Sequence, residues 1–284
     1  TAAAAVVLFL LAGCGLLPGT AEAPPSSSPE VVGSVDEQLM PYYNQSVSWE
    51  SCEGRFECAE IEVPVDYADP DGESIKIAAI RSTTDGDSLG SILLNPGGPG
   101  GSGYDTVRGS LEQMTTEELR GSYDIVGFDP RGVKRSAPVT CMTDAERDAA
   151  REVQYDLDSD AGIAEAREDA AELAEKCEAK TGGVLAHVDT ASAAKDMDII
   201  RAVVGDAKLN YLGFSYGTFL GATYADLFPE RVGRMVLDGA LDPSLTNEEV
   251  TLGQAKAFEG AIRSYAESCL ASSECPLSGT VDQA

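Results

Sequence analysis

Residues 208–239, KLNYLGFSYGTFLGATYADLFPERVGRMVLDG, leave few folds open. KLNYLGF (208–214) is a short apolar run of strand type, YGTFLGATYADLF (216–228) has helical patterning and stops before Pro229, and VGRMVLDG (232–239) is apolar and strand-like again. A strand, a helix and a second strand in immediate succession imply a right-handed crossover between parallel strands. The expected fold class is therefore α/β, a mostly parallel sheet with helices on both faces. Other segments agree. SILLN (91–95) and YDIVGFD (123–129) read as buried strands, and residues 161–180 and 191–204 as covering helices, the second ending at Gly205. Ala59–Tyr67 and Ser74–Ser82 alternate apolar and polar residues around the turn signal Asp69-Pro70-Asp71-Gly72, so a hairpin opens the domain.

Gly213-Phe214-Ser215-Tyr216-Gly217 falls where the strand meets the helix. A turn that sharp leaves no room for side chains two residues before and two after the serine, and the glycines supply it. Ser215 is then held in a strained backbone conformation, with its hydroxyl above the sheet at a helix amino terminus, where amide dipoles favour negative charge. That is the context of a G-x-S-x-G nucleophile elbow. Gly221 lies one turn further along and lets the helix approach its neighbours.

A second glycine cluster, NPGGPGGSG (95–103), admits two readings. Gly98, Gly100 and Gly103 spell G-x-G-x-x-G, the fingerprint of a dinucleotide loop. Alternatively, the loop presents amides to a developing oxyanion. A dinucleotide fold places this loop after its first strand, whereas here a hairpin precedes it. That fold also wants an acid at a strand end about twenty residues later, but Glu117 and Glu118 lie in the polar stretch LEQMTTEELR. A P-loop fails because no lysine follows the glycines. Beside Ser215, the oxyanion reading is the consistent one. It takes one amide from Tyr216 and one from the loop. No cofactor is expected, and a single histidine excludes a multi-histidine metal site.

The amino-terminal region concerns location. Ala2–Ala12 is an apolar run too short to span a bilayer, and Leu11-Ala12-Gly13-Cys14 closes it in the manner of a bacterial lipobox. Residues 1–13 are thus expected to be part of a lipoprotein signal peptide. Cys14 would bear the lipid that attaches the protein to the membrane, and residues 14–46, rich in Pro and Ser, would form a tether. A formal charge of −28 argues against nucleic acid as a partner and fits an acidic, exported surface. Of the seven cysteines, setting Cys14 aside leaves six. Proximity pairs Cys52 with Cys58, Cys141 with Cys177 and Cys269 with Cys275, one of several connectivities that six cysteines allow. Zinc is the competing use, but the C-x-x-C spacing that would support it is absent.

LLNPGGPGGSG, YDIVGFDPRGVKRSAPVTC, LNYLGFSYGTFLGATYADLFPERVGRMVLDGALDP and CLASSECPL together resemble the secreted actinobacterial α/β-hydrolases that act as tripeptidyl aminopeptidases. These are relatives of prolyl aminopeptidase, whose His-Gly-Gly-Pro-Gly loop is similar to Pro96–Gly100 here, with Pro96 in place of the histidine. The resemblance runs from about Trp49 to Ala284. It implies an α/β-hydrolase fold over residues 47–245 and the start of a helical cap over 246–284. It also implies a serine peptidase that removes short peptides from free amino termini, with Ser215 as nucleophile. Gly98 and Tyr216 would be the oxyanion donors, with Gly97 as the alternative to Gly98. Arg131 of Asp129-Pro130-Arg131-Gly132 is expected to pair with carboxylates near the base of the site, and Asp238 and Asp242 are read as structural.

In this fold the triad runs Ser, acid, His in chain order. No histidine follows Ser215, and the sole histidine, His187, precedes it in a helix entry that Asp189 or Thr190 can cap. The chain is therefore expected to be the amino-terminal portion of a longer enzyme whose acid and base lie elsewhere, and to be inactive by itself. An esterase or lipase on the same scaffold, and a non-catalytic surface lipoprotein, are the competing functions.

Overall fold

A computed structural model describes residues 34–284. Cys14 and the expected signal segment, residues 1–13, lie outside the described residues. The elements in chain order are α1 (Met40–Tyr43), β1 (Glu50–Cys52), β2 (Phe56–Pro64), β3 (Ser74–Ser82), β4 (Ser91–Asn95), α2 (Gly103–Met114), α3 (Glu117–Arg120) and β5 (Asp124–Phe128). There follow α4 (Asp144–Glu152), α5 (Asp160–Thr181), α6 (Thr190–Val203), β6 (Leu209–Phe214), α7 (Tyr216–Leu227), β7 (Val232–Asp238) and α8 (Asn247–Leu270).

Among the described residues the strands form one sheet in the order β1-β2-β3-β5-β4-β6-β7. β1, β2, β3 and β5 pair antiparallel, whereas β5, β4, β6 and β7 run parallel. The hairpin, the buried strands and the parallel crossover through α7 are thus as the sequence predicts. β4 sits near the middle of the parallel half with all five residues buried.

Because alternate residues of a strand face opposite ways, each central strand supplies both faces of the sheet. Leu93, Val126 and Phe128 join Met197, Ile200, Leu220 and Tyr224 beneath α6 and α7. Ile92, Leu94 and Ile125 join Val107 and Leu111 of α2 on the other face. Helices therefore cover both sides, and the carboxy-terminal ends of β4 and β6 emerge together between them.

The tether expected to reach residue 46 is packed well before that point. Tyr43 is buried and its hydroxyl donates to Asp198 Oδ2 at 2.5 Å. Asp198 also accepts from Tyr224 Oη at 2.8 Å, Arg201 Nε at 2.8 Å and Arg231 Nη1. Burial works against its charge, but the hydrogen bonds and charge of Arg201, with Tyr43 and Arg231, outweigh that and hold its pKa below the ordinary value. The end of the segment read as tether is thus held to the domain by Tyr43 on a buried carboxylate, together with Tyr42 on Pro70 O at 2.9 Å and Gln45 on Glu62 O at 2.8 Å.

α4 is a helix that the apolar pattern does not announce, because none of its residues is buried. Its signal is the capping box, in which Thr143 Oγ1 accepts from the Glu146 amide at 3.3 Å and Glu146 accepts from the Thr143 amide at 2.7 Å. Disulfides join Cys52 to Cys58, Cys141 to Cys177 and Cys269 to Cys275, the pairing that proximity selected. The second ties the loop after β5 to α5. α8 occupies the region read as the start of a cap, and Phe258, Ile262 and Tyr265 on it are exposed.

Candidate active site

β6 ends at Phe214 and α7 begins at Tyr216, so Ser215 alone turns the chain. Its φ of 53° and ψ of −122° lie where L-residues are rarely found, at a cost of about 1–3 kcal/mol. The surroundings enforce that conformation. The Ser215 amide donates to Asp238 O at the end of β7 at 2.9 Å, and the Ser215 carbonyl accepts from the Thr218 amide at 2.8 Å and the Thr218 hydroxyl at 2.7 Å. The Thr218 hydroxyl in turn accepts from the Leu241 amide at 2.9 Å. The Ser215 side chain is exposed and makes no capping hydrogen bond, so its hydroxyl is free at the helix amino terminus.

The glycines are sterically required. A Cβ on Gly213 would stand 2.5 Å from Gly217 O, and one on Gly217 would stand 2.7 Å from Asn95 O. Gly221 meets Tyr211 Cε1 at 2.7 Å and Leu237 Cδ2 at 2.8 Å by the same construction, which is how α7 comes down onto β6 and β7.

The loop after β4 lies against this turn. Asn95 is buried, and its Oδ1 accepts from the Gly97 amide at 2.9 Å; Gly97 O accepts from the Gly101 amide at 3.0 Å. Gly97 has φ 93°, and a Cβ there would lie 2.4 Å from Phe214 O, 3.0 Å from Ser215 Cβ and 3.1 Å from the Tyr216 nitrogen. Gly97 is thus the glycine of closest approach, while its N–H is committed to Asn95. The Gly98 amide, next along, carries no such commitment among the described residues. Sequence reasoning singled out the loop but not Asn95, whose signal is a polar residue closing a wholly buried strand.

His187 is elsewhere engaged. It ends a 3₁₀ turn, its Nδ1 lies 3.9 Å from Asp66 Oδ1 after β2, and its carbonyl accepts from Arg131 Nη1 at 3.1 Å. No hydrogen bond links it to Ser215 among the described residues. Asp189 is the residue that caps α6, accepting from the Ser192 amide at 2.8 Å and the Ser192 hydroxyl at 2.7 Å. Burial would raise the Asp189 pKa, but those bonds prevail and lower it. Thr190 instead meets Tyr216, hydroxyl to hydroxyl at 2.8 Å, and burial raises the tyrosine's pKa.

Arg131 is buried and holds Asp196 through two bonds, Nε to Oδ2 at 2.7 Å and Nη2 to Oδ1 at 2.6 Å. It also donates to the carbonyls of Pro64 at 2.9 Å and Val65 at 2.8 Å. Burial alone would lower the guanidinium's pKa, but the Asp196 carboxylate raises it. Arg131 therefore braces the end of β2 against α6. The expectation of a carboxylate partner holds, and the partner is Asp196, which sequence reasoning did not identify. Asp238 enters the site through its backbone carbonyl, and Asp242 accepts from the Ser244 hydroxyl at 2.7 Å and amide at 2.9 Å, which lowers its pKa. Among the described residues no group of three or more His, Cys, Asp or Glu side chains could hold a metal ion.

The arrangement is a strained, exposed serine with a helix dipole behind it and an amide-bearing glycine loop in front. Comparison with known proteins agrees. The alpha/beta hydrolase fold model matches residues 90–281. Serine protease Hip1 of Mycobacterium tuberculosis is 40% identical over 288 residues, covering 97% of this chain and 52% of that protein. Tripeptidyl aminopeptidase of Streptomyces lividans is 40% identical over 226 residues, covering 75% of this chain and 42% of that protein. Carboxylesterase B of Mycobacterium tuberculosis is 39% identical over 270 residues, covering 89% and 52% respectively. The chain spans about half the length of the curated relatives it matches.

Proposed function

The chain belongs to the alpha/beta hydrolase fold family, and from that membership we propose that Ser215 is the nucleophile of a serine exopeptidase that releases short peptides from free amino termini. The observation that carries this reading is Ser215 itself, held at φ 53° with an uncommitted side chain while Gly97 packs against its turn. In the reaction, Ser215 Oγ attacks the scissile carbonyl and an acyl-enzyme forms as the amine leaves. The Gly98 and Tyr216 amides take up the negative charge on the carbonyl oxygen, and a water then releases the acyl group. Gly98 is preferred to Gly97 because the Gly97 amide already serves Asn95.

His187 faces Asp66 and is not the base in this scheme. The acid and base that complete the triad are assigned to polypeptide that the longer relatives have and residues 1–284 do not match, so these residues alone are expected to be inactive. The aminopeptidase assignment rests on similarity to the tripeptidyl aminopeptidase. A second reading, an esterase, is favoured by similarity to the carboxylesterase, since the same elbow can attack either acyl group.

The full-length protein separates the two when assayed on tripeptide amides with free amino termini, the same amides blocked at the amino terminus, and simple esters. Free tripeptide amides should be turned over at least about tenfold faster than blocked ones, a difference in transition-state stabilisation of about 1.4 kcal/mol or more. Equal rates on free and blocked peptides would overturn the aminopeptidase reading, and turnover of esters alone would establish the second.

We further infer that the enzyme works outside the cytoplasm, anchored by lipid on Cys14. Three disulfides fit an oxidising compartment, and no helix among the described residues is long and apolar enough to cross a membrane. In cells expressing the full-length protein, Cys14→Ser should move it from the membrane fraction to the soluble or secreted fraction. Unchanged membrane retention would overturn the lipid anchor.

A further inference from the structure

The glycine loop is fastened at both ends, and its exit fastening has no counterpart in the sequence reading. At the entry, Asn95 holds the Gly97 amide. At the exit stands Ser102, 8% exposed, the amino-terminal cap of α2. Ser102 Oγ accepts from the Asp105 amide at 2.9 Å. Its second partner is Oδ1 of Asp129, the residue that directly follows β5 and is 0% exposed. The Ser102 hydroxyl donates to that carboxylate oxygen, so its single proton points to Asp129. The directions of both bonds at this hydroxyl are thereby fixed.

Asp129 is itself oriented. Its Oδ2 accepts from Arg135 Nη1 at 2.9 Å and from the Arg135 amide at 3.3 Å. The same guanidinium reaches Asp105 Oδ1 through Nη2 at 2.9 Å and stands 4.1 Å from the centroid of the Tyr104 ring. Arg135 thus bridges the two carboxylates that flank Ser102. Six residues, four glycines and two prolines, lie between Asn95 and Ser102, and glycine has little conformational preference of its own. What keeps such a segment in one shape is its end points.

We propose that Asp129 is a positioning residue for the hydrolytic reaction: by locking Ser102, it fixes the exit of the glycine loop and so holds the Gly98 amide in register with Ser215. The role rests on the serine-hydrolase reading of the site. Asp129 touches no reacting atom and acts through Ser102. Its effect should fall on the step in which charge develops, because a loop donor misplaced by about 1 Å costs on the order of 100-fold in rate while leaving remote substrate contacts intact.

The test uses the full-length protein with four variants, Asp129→Asn, Ser102→Ala, Ser102→Thr and Ser215→Ala. Asparagine cannot accept from both Ser102 and Arg135 with the same polarity as a carboxylate, so one link is lost. Ser102→Ala removes the lock from the other side and guards against misfolding of the buried Asp129 variant. Ser102→Thr retains the hydroxyl. Asp129→Asn and Ser102→Ala should each lower kcat for a tripeptide amide about 10- to 100-fold with KM within about threefold. Amide hydrogen exchange over residues 97–102 should be faster in both and return toward wild type in Ser102→Thr, together with kcat. Unchanged kcat, or a loss that Ser102→Thr fails to restore, would overturn the proposal. If the wild type showed no turnover that Ser215→Ala removes, the hydrolase reading would fall instead. The exchange measurement would then decide the lock by itself, with unchanged loop exchange in Ser102→Ala overturning it.

Discussion

Ser215→Ala in the full-length protein should lower kcat on tripeptide amides by on the order of 10⁴- to 10⁶-fold and abolish covalent labelling by a fluorophosphonate. The size follows from what the side chain alone supplies. Ser215 is the residue that turns the chain between β6 and α7, its hydroxyl is exposed, and it is spent on no hydrogen bond that would make it structural. The amides at its side would still stabilise charge in the variant, so a residual rate above water is expected, but no acyl-enzyme could form. Folding should be untouched, because alanine removes no backbone bond of the turn: the links to Asp238 and Thr218 all use the Ser215 main chain. Turnover within tenfold of wild type in a folded Ser215→Ala protein would contradict the assignment of the nucleophile.

Gly97→Ala is expected to cost about 10³-fold in kcat, the second largest effect. A Cβ at this position meets Phe214 O at 2.4 Å, a backbone atom of the strand that leads into Ser215, so no flexible side chain can yield. The residue also has φ 93°, which disfavours any L side chain. The loop must move away from the elbow, and with it the Gly98 amide. Gly100→Ala makes the control: its φ is 91°, but nothing lies within 4 Å of the added carbon, so it pays a local conformational cost without a collision at the site. It should lose much less activity. Steady-state kinetics and the rate of fluorophosphonate labelling on both variants check this, and equal losses would mean that loop conformation rather than approach to Ser215 is what matters.

These two predictions differ in where they could be read. The elbow is legible because its constraints are local. Gly213 and Gly217 stand two positions before and two after Ser215, and the same window carries the strand and helix patterns that define the context. The loop was legible as a glycine cluster, but not which glycine meets the elbow, because that depends on β4 and β6 lying side by side although more than a hundred residues separate them in sequence.

The charged residues show the same division. That Arg131 would find a carboxylate is implied by the resemblance of its Asp-Pro-Arg-Gly segment, yet Asp196 is 65 positions away on a helix that also carries Asp198. The helical rotation between those two residues sends Asp196 to Arg131 and Asp198 to Arg201 and Arg231. His187 stands three residues from the capped start of α6, and nothing in its neighbourhood announces that Asp66, from the far end of the opening hairpin, would be its acidic partner.

By itself the sequence determined the alternation that builds both faces of the sheet, the crossover through α7 and the serine at the elbow, since each depends on periodicity or on residues close along the chain. The tertiary structure alone decided that Gly97 is the glycine pressed against the elbow, that its amide is taken by Asn95, that His187 turns to Asp66, and that Asp129 holds Ser102. The physical reason is that one acidic or glycine residue resembles another in composition and local pattern, and only the packing of strands and helices distant in sequence selects which of them meet.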